Sequence, residues 1–117
     1  MPIPNVLAGV AVDNLVAARA WYARLLERDG TSPMPEVVEW NFPTGGGLQV
    51  FEDRLRAGSS SVTLVVDDLD AEQRRIQALG VEIGSRTSSD AVRTFTVHDP
   101  SENQVILAQA RDPSLLR

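Results

Sequence analysis

Few side chains in this 117-residue sequence could do chemistry, and their spacing narrows what that chemistry could be. His98 is the sole histidine. It adjoins an Asp99-Pro100 turn and falls one strand residue out of phase with Phe95 and Val97. A catalytic imidazole needs a neighbour that orients it. No Ser-His-acid set and no His-Glu-x-x-His spacing can be assembled around His98, so it reads as a turn or surface residue. Gly45-Gly46-Gly47 suggests a phosphate loop, but no Lys-Ser/Thr follows it and no helix opens there. A hairpin turn is the expected structure. The absence of cysteine excludes disulfides, thiolate metal sites and a cysteine nucleophile.

Other candidates are aromatic or charged. If the loop after Phe42 has an even number of residues, Phe42 pairs with Gly47 and Trp40 pairs with Gln49. The indole would then share a face with a side-chain amide and lie near Phe51. The other placement for Trp40 is the core beneath a helix. Arg93, in phase with Phe95, either offers a fixed charge to an anionic or carbonyl-bearing ligand or snorkels from its strand. Glu39, Glu52 and His98 would support metal-free catalysis if they converged in one cleft. Trp21 and Tyr22 are adjacent on a helix and are assigned to packing.

Totals exclude several classes of function. Net charge is −5 and the pI is about 4.7. With no basic stripe to displace counterions, nucleic-acid binding is not expected. Residues 1–5 lack the basic start and apolar core of a signal peptide, and no apolar run reaches membrane-spanning length, so a cytoplasmic protein is expected.

Hydrophobic periodicity places these residues on elements. Residues 6–12 read as a strand, with Asn14 as the N-cap of a helix whose stripe is Leu15, Ala18, Tyr22 and Leu25. Asp29-Gly30 is expected to end that helix. Residues 31–35 read as a loop or edge strand, and residues 37–42 and 48–52 as a hairpin. A polar linker covers residues 54–60. Residues 61–66 form the next strand, Asp68 caps a second helix, and Gly80 closes it. Strands at 81–86, 92–98 and 104–110 follow, then a loose tail at 111–117.

The second half repeats the first. Leu64-Val-Val-Asp-Asp-Leu69 matches Val10-Ala-Val-Asp-Asn-Leu15 at an offset of 54 residues, and Ala71, Ile76 and Leu79 match Ala17, Tyr22 and Leu25. Module one spans about residues 5–53 and module two about 61–110, in one domain. Alternation sends Leu7, Gly9 and Ala11, and likewise Ser61, Thr63 and Val65, away from the helices. A face of such small or polar residues suits a cleft.

Three motifs in order on this duplicated scaffold resemble a known superfamily. They are Val12-Asp-Asn-Leu-Val-Ala-Ala-Arg-Ala-Trp-Tyr22, Val66-Asp-Asp-Leu-Asp-Ala71 and Asp99-Pro-Ser-Glu-Asn103. The chain is similar over roughly residues 5–110 to the glyoxalase, bleomycin-resistance and extradiol-dioxygenase group, the vicinal oxygen chelate superfamily. The resemblance implies an α+β fold of two βαβββ modules with sheets curled around a cavity, and a homodimer. One departure is Glu102, where the family commonly has glycine.

Metal-dependent members hold the ion from the first and last strands of each module. Carried onto this sequence, those positions are Leu7, Gln49, Ser61 and Ile106. Hydrocarbon side chains cannot ligate a divalent cation, and a neutral amide and hydroxyl are too few. The resemblance therefore implies a metal-free binding protein for a small aromatic or polycyclic molecule, with no cofactor. Leu7, Phe51 and Ile106 would be apolar walls, with Trp40 beside them. Gln49, Ser61, Thr63 and Arg93 would be polar handles. Sequestration of a toxic or antibiotic-like compound is one version. Two alternatives are an enzyme of the lyase, isomerase or dioxygenase type, either metal-independent or metal-dependent with its ligands at other positions through a register shift, and a dimeric interaction module with a filled cavity.

Overall fold

The computed structural model describes residues 1–112; most of the expected loose tail lies outside the described residues. The chain divides into two compact units. The first is Met1–Ser60 with Asp99–Asn103, and the second is Ser61–His98 with the residues from Gln104 onward.

In the first unit, β1 (Leu7–Val12), α1 (Leu15–Leu26), β2 (Thr31–Met34), β3 (Val37–Asn41) and β4 (Gly47–Glu52) build a sheet of order β1-β4-β3-β2. Strand β1 runs parallel to β4, and the other pairs are antiparallel. The second unit repeats this order with β5 (Ser61–Val65), α2 (Leu69–Ala78), β6 (Arg86–Ser88), β7 (Val92–His98) and β8 (Gln104–Ala110) as β5-β8-β7-β6. Both units are βαβββ modules, so the duplication written in the sequence is a duplication of topology.

The helix starts are built alike. Asn14 and Asp68 are extended residues whose side chains accept from Ala17 N at 3.1 Å and Ala71 N at 3.0 Å. A second acceptor reaches each helix from the last-numbered sheet strand of its unit. Glu52 Oε1 accepts from Leu15 N at 3.2 Å, and Gln109 Oε1 accepts from Leu69 N at 2.8 Å. Both amides are free donors of a first helical turn. These contacts show which sheet face carries the helix. On β4 it is the face of Leu48, Val50 and Glu52; on β8 it is the face of Val105, Leu107 and Gln109.

Three expected details differ. Helix α1 ends earlier than expected, with Glu27 as the left-handed C-cap at φ 60°. Gly30 has another purpose: a Cβ there would lie 2.5 Å from Val38 Cγ1 and 2.9 Å from Trp40 Cε2, so the chain crosses the core where no side chain fits. The strand expected at 81–86 shrinks to Arg86–Ser88, because ahead of it the pairing with β7 thins to Gly84 N on Thr96 O and Thr96 N on Ser85 O. The hairpin loop holds five residues, 42–46, since Asn41 pairs with Gly47. Gly45 (φ 98°) and Gly46 (φ 78°) supply its left-handed positions.

The Asp99–Asn103 turn is the polar centre of the first unit. Asp99 Oδ1 accepts from Ser101 N and Asn103 N, both at 2.9 Å. Its Oδ2 accepts from Tyr22 Oη at 2.8 Å and Asn103 Nδ2 at 2.9 Å. Burial, helped by the charge and the hydrogen bond of Asp99, pushes the Tyr22 phenol far above its ordinary range, so it remains a donor. Glu102 sits in this turn at φ 70°, the conformation a glycine takes without strain. Glu102→Gly is expected to stabilise the protein by about 0.5–1 kcal/mol, after the entropy glycine adds to the unfolded chain is subtracted. A urea midpoint that falls, at unchanged slope, would contradict this.

Candidate functional site

Strand alternation sorts the sequence-proposed residues by face. On the first unit's sheet, the face opposite α1 carries Leu7, Gly9 and Ala11 of β1, Gly47, Gln49 and Phe51 of β4, and Val37, Glu39 and Asn41 of β3. The register brings Gly9, Gln49, Glu39 and Thr31 into one row across all four strands. Gln49 Nε2 donates to Glu39 Oε1 at 2.9 Å, and both side chains are half-buried.

Two glycines shape this face. A Cβ on Gly47 would lie 2.5 Å from Leu7 Cδ2, so the leucine side chain leans across that glycine. A Cβ on Gly9 would lie 3.3 Å from Phe51 Cε1, so the phenyl ring leans the other way. The Gln49–Glu39 pair thus lies between two apolar side chains. The Arg56 guanidinium stands 5.3 Å from the Phe51 ring centroid and pairs loosely with Asp53 at 3.7 Å.

On the second unit's sheet, the face opposite α2 carries Ser61, Thr63 and Val65 of β5, Ile106 and Ala108 of β8, and Thr94, Thr96 and His98 of β7. Thr63, Ile106 and Thr96 form one row, and Ser61, Gln104 and His98 the next. Ile106 lies two residues beyond the partner of Ser61, as Gln49 lies two beyond the partner of Leu7. The four carried-over positions therefore occupy equivalent places in the two modules.

Two proposed pocket residues are elsewhere. Trp40 pairs with Leu48, not Gln49, because the odd loop shifts the register by one and turns its side chain to the α1 face. It is fully buried, 6.0 Å from the Tyr22 ring, and its Nε1 donates to Arg28 O at 2.9 Å. Arg93 shares the α2 face with Gln109, and its guanidinium reaches Asp70 and Gln109 at 3.4 Å. It serves the start of α2 and is turned away from Thr63 and Ile106. Nor do the carboxylates of a metal-free enzyme converge, since Glu39 and Glu52 occupy opposite faces of one sheet.

Glu39 and Gly9 were the residues that sequence reasoning undervalued. A five-residue loop read from Gly45-Gly46 would have paired Glu39 with Gln49. Among the described residues no group of three or more His, Asp or Glu is placed to hold a metal ion. The donor chemistry of Leu7, Gln49, Ser61 and Ile106 does not fit a divalent cation. No helix among the described residues is long and apolar enough to cross a membrane.

No family model matches the chain, and no curated protein sequence matches it. Solved structures do. The chain superposes on lactoylglutathione lyase from Agrobacterium tumefaciens with a TM-score of 0.80 at 16% identity, covering 99% of this chain and 98% of that one. It superposes on TnmS3, an antibiotic binding protein from Streptomyces sp. CB03234, with a TM-score of 0.81 at 24% identity, covering 94% and 98%. At those identities the likeness establishes the fold. A glyoxalase/bleomycin resistance protein from Catenulispora acidiphila DSM 44928 is 34% identical, with a TM-score of 0.80 over 90% of this chain and 96% of that one. With both topology and sequence in common over almost its whole length, the chain belongs to the glyoxalase/bleomycin resistance proteins of the vicinal oxygen chelate superfamily.

Proposed function

We propose that this member of the family binds a small organic molecule without a metal, and that it works as a homodimer sequestering a toxic or antibiotic-like compound. One observation carries the proposal. The positions that would hold the ion in a metal-dependent member read Leu7, Gln49, Ser61 and Ile106, and they lie on the helix-free faces of their sheets. In each unit, such a face, with a hydrocarbon wall beside an amide or a hydroxyl, suits a largely apolar ligand that needs orientation. Phe51 adds an aromatic surface to the first unit's face, and Thr63 adds a hydroxyl beside Ile106 on the second unit's face. The fold shared with TnmS3, an antibiotic binding protein, supports the sequestering role.

Native mass spectrometry of the protein as purified tests this directly. The expected result is a metal-free dimer. Bleomycin and planar aromatic quinones are the first ligands to add. A bound ligand at 100 times its Kd should raise the unfolding free energy by about 2.7 kcal/mol. A stoichiometric divalent metal in the purified protein would overturn the proposal, as would a panel of such compounds that leaves the melting temperature unmoved.

A further inference from the structure

We propose that the Glu39–Gln49 pair recognises a positively charged, donor-rich group on the ligand, such as an ammonium, amidinium or guanidinium attached to an aromatic ring. The inference rests on the binding-protein reading and adds the chemical class of the ligand.

Hydrogen-bond direction carries it. An ionised carboxylate only accepts, so the Gln49 amide turns its NH2 toward Glu39, and Nε2 donates to Oε1 at 2.9 Å. That contact uses the donor end of the amide. What remains on the helix-free face is Gln49 Oε1 and the second oxygen of Glu39. Both are acceptors. Among the described residues neither side chain has another hydrogen-bond partner, and Glu39 makes no ion pair. A half-buried carboxylate bonded to a neutral amide keeps its second oxygen as an acceptor, and a charge-assisted bond from a cationic donor is the strongest it can take.

The surroundings point the same way. Leu7 leans in over Gly47 and Phe51 over Gly9, giving apolar surface on either side of the pair. The Phe51 ring already accepts a cation on its face, the mostly exposed guanidinium of Arg56. A ligand that sets its cation against the Glu39–Gln49 pair can lay its ring on Phe51 in place of the Arg56 guanidinium. A carboxylate ligand would meet two acceptors and the charge of Glu39.

Three probes of one shape make the test: 2-naphthamidine as the cation, 2-naphthamide as the neutral form and 2-naphthoate as the anion. Each is titrated against the full chain by calorimetry, with amide chemical shifts locating the site. The amidine should bind at least about tenfold tighter than the amide, the value of one charge-assisted hydrogen bond. Glu39→Gln keeps the shape and removes the charge. It should abolish that preference. Equal binding of the three probes, or a preference that survives Glu39→Gln, overturns this inference and leaves the binding-protein reading standing. If no probe binds at any charge, the reading and the inference fall together.

Discussion

Replacing Asn103 with alanine is expected to lower the unfolding free energy by about 3–4 kcal/mol, a large part of the 5–15 kcal/mol typical of a domain. The side chain is fully buried, and all its bonding capacity is spent inside the first unit. Its Nδ2 donates to Ala11 O at 2.7 Å and to Asp99 Oδ2 at 2.9 Å. Its Oδ1 accepts from Gly58 N at 3.0 Å and Ser60 N at 2.9 Å. Alanine would strip a partner from a β1 carbonyl, a buried carboxylate and two loop amides at once. Water can reach the exposed Gly58 amide but not the Ala11 carbonyl, so the cost falls mainly on the strand.

Asn103→Asp separates shape from hydrogen bonding. It keeps the volume but turns an acceptor toward both Ala11 O and the Asp99 carboxylate. It should destabilise at least as much as alanine. Urea unfolding followed by circular dichroism measures both variants. A loss below about 1 kcal/mol for either would mean that the turn contributes little to holding residues 57–60 against β1.

The Asp99-Pro-Ser-Glu-Asn103 motif was legible as a family signature and as a turn, yet its purpose was not. Its partners Tyr22, Ala11, Gly58 and Ser60 are 43 or more positions away in sequence. Periodicity reports only local faces. What was legible was local: Asn14 and Asp68 as caps, two helices with apolar stripes, and a strand order repeated by duplication. The double capping by Glu52 and Gln109 was hidden because their positions correspond through the fold, at an offset different from the 54 residues that relate the helices.

The open faces show the same division. Leu7, Ser61 and Thr63 were assigned to their faces by alternation, because β1 and β5 begin at marked boundaries, whereas Gln49 and Ile106 came only from the resemblance to the superfamily. Arg93 obeyed its phase with Phe95, and that phase is the helix face. Trp40 depended on loop parity. One residue more or less between Phe42 and Gly47 decides whether an indole meets solvent or the core.

Trp40 therefore provides the second large effect. Trp40→Ala should cost about 3–5 kcal/mol, since it empties a fully buried site between α1 and β3. The indole touches the Tyr22 ring, donates to Arg28 O and fills the space that Gly30 leaves open. Trp40→Phe restores most of the apolar volume but leaves Arg28 O without its donor. About 1–2 kcal/mol of loss is expected there. A tryptophan lining a ligand face would behave in the opposite way, with truncation nearly neutral for stability and damaging to binding. Urea unfolding of both variants, paired with calorimetry of Trp40→Phe against an aromatic probe, distinguishes the two. The core placement requires destabilised variants and an unchanged Kd. Stable variants with weakened binding would require the register of β3 against β4 to be shifted by one residue.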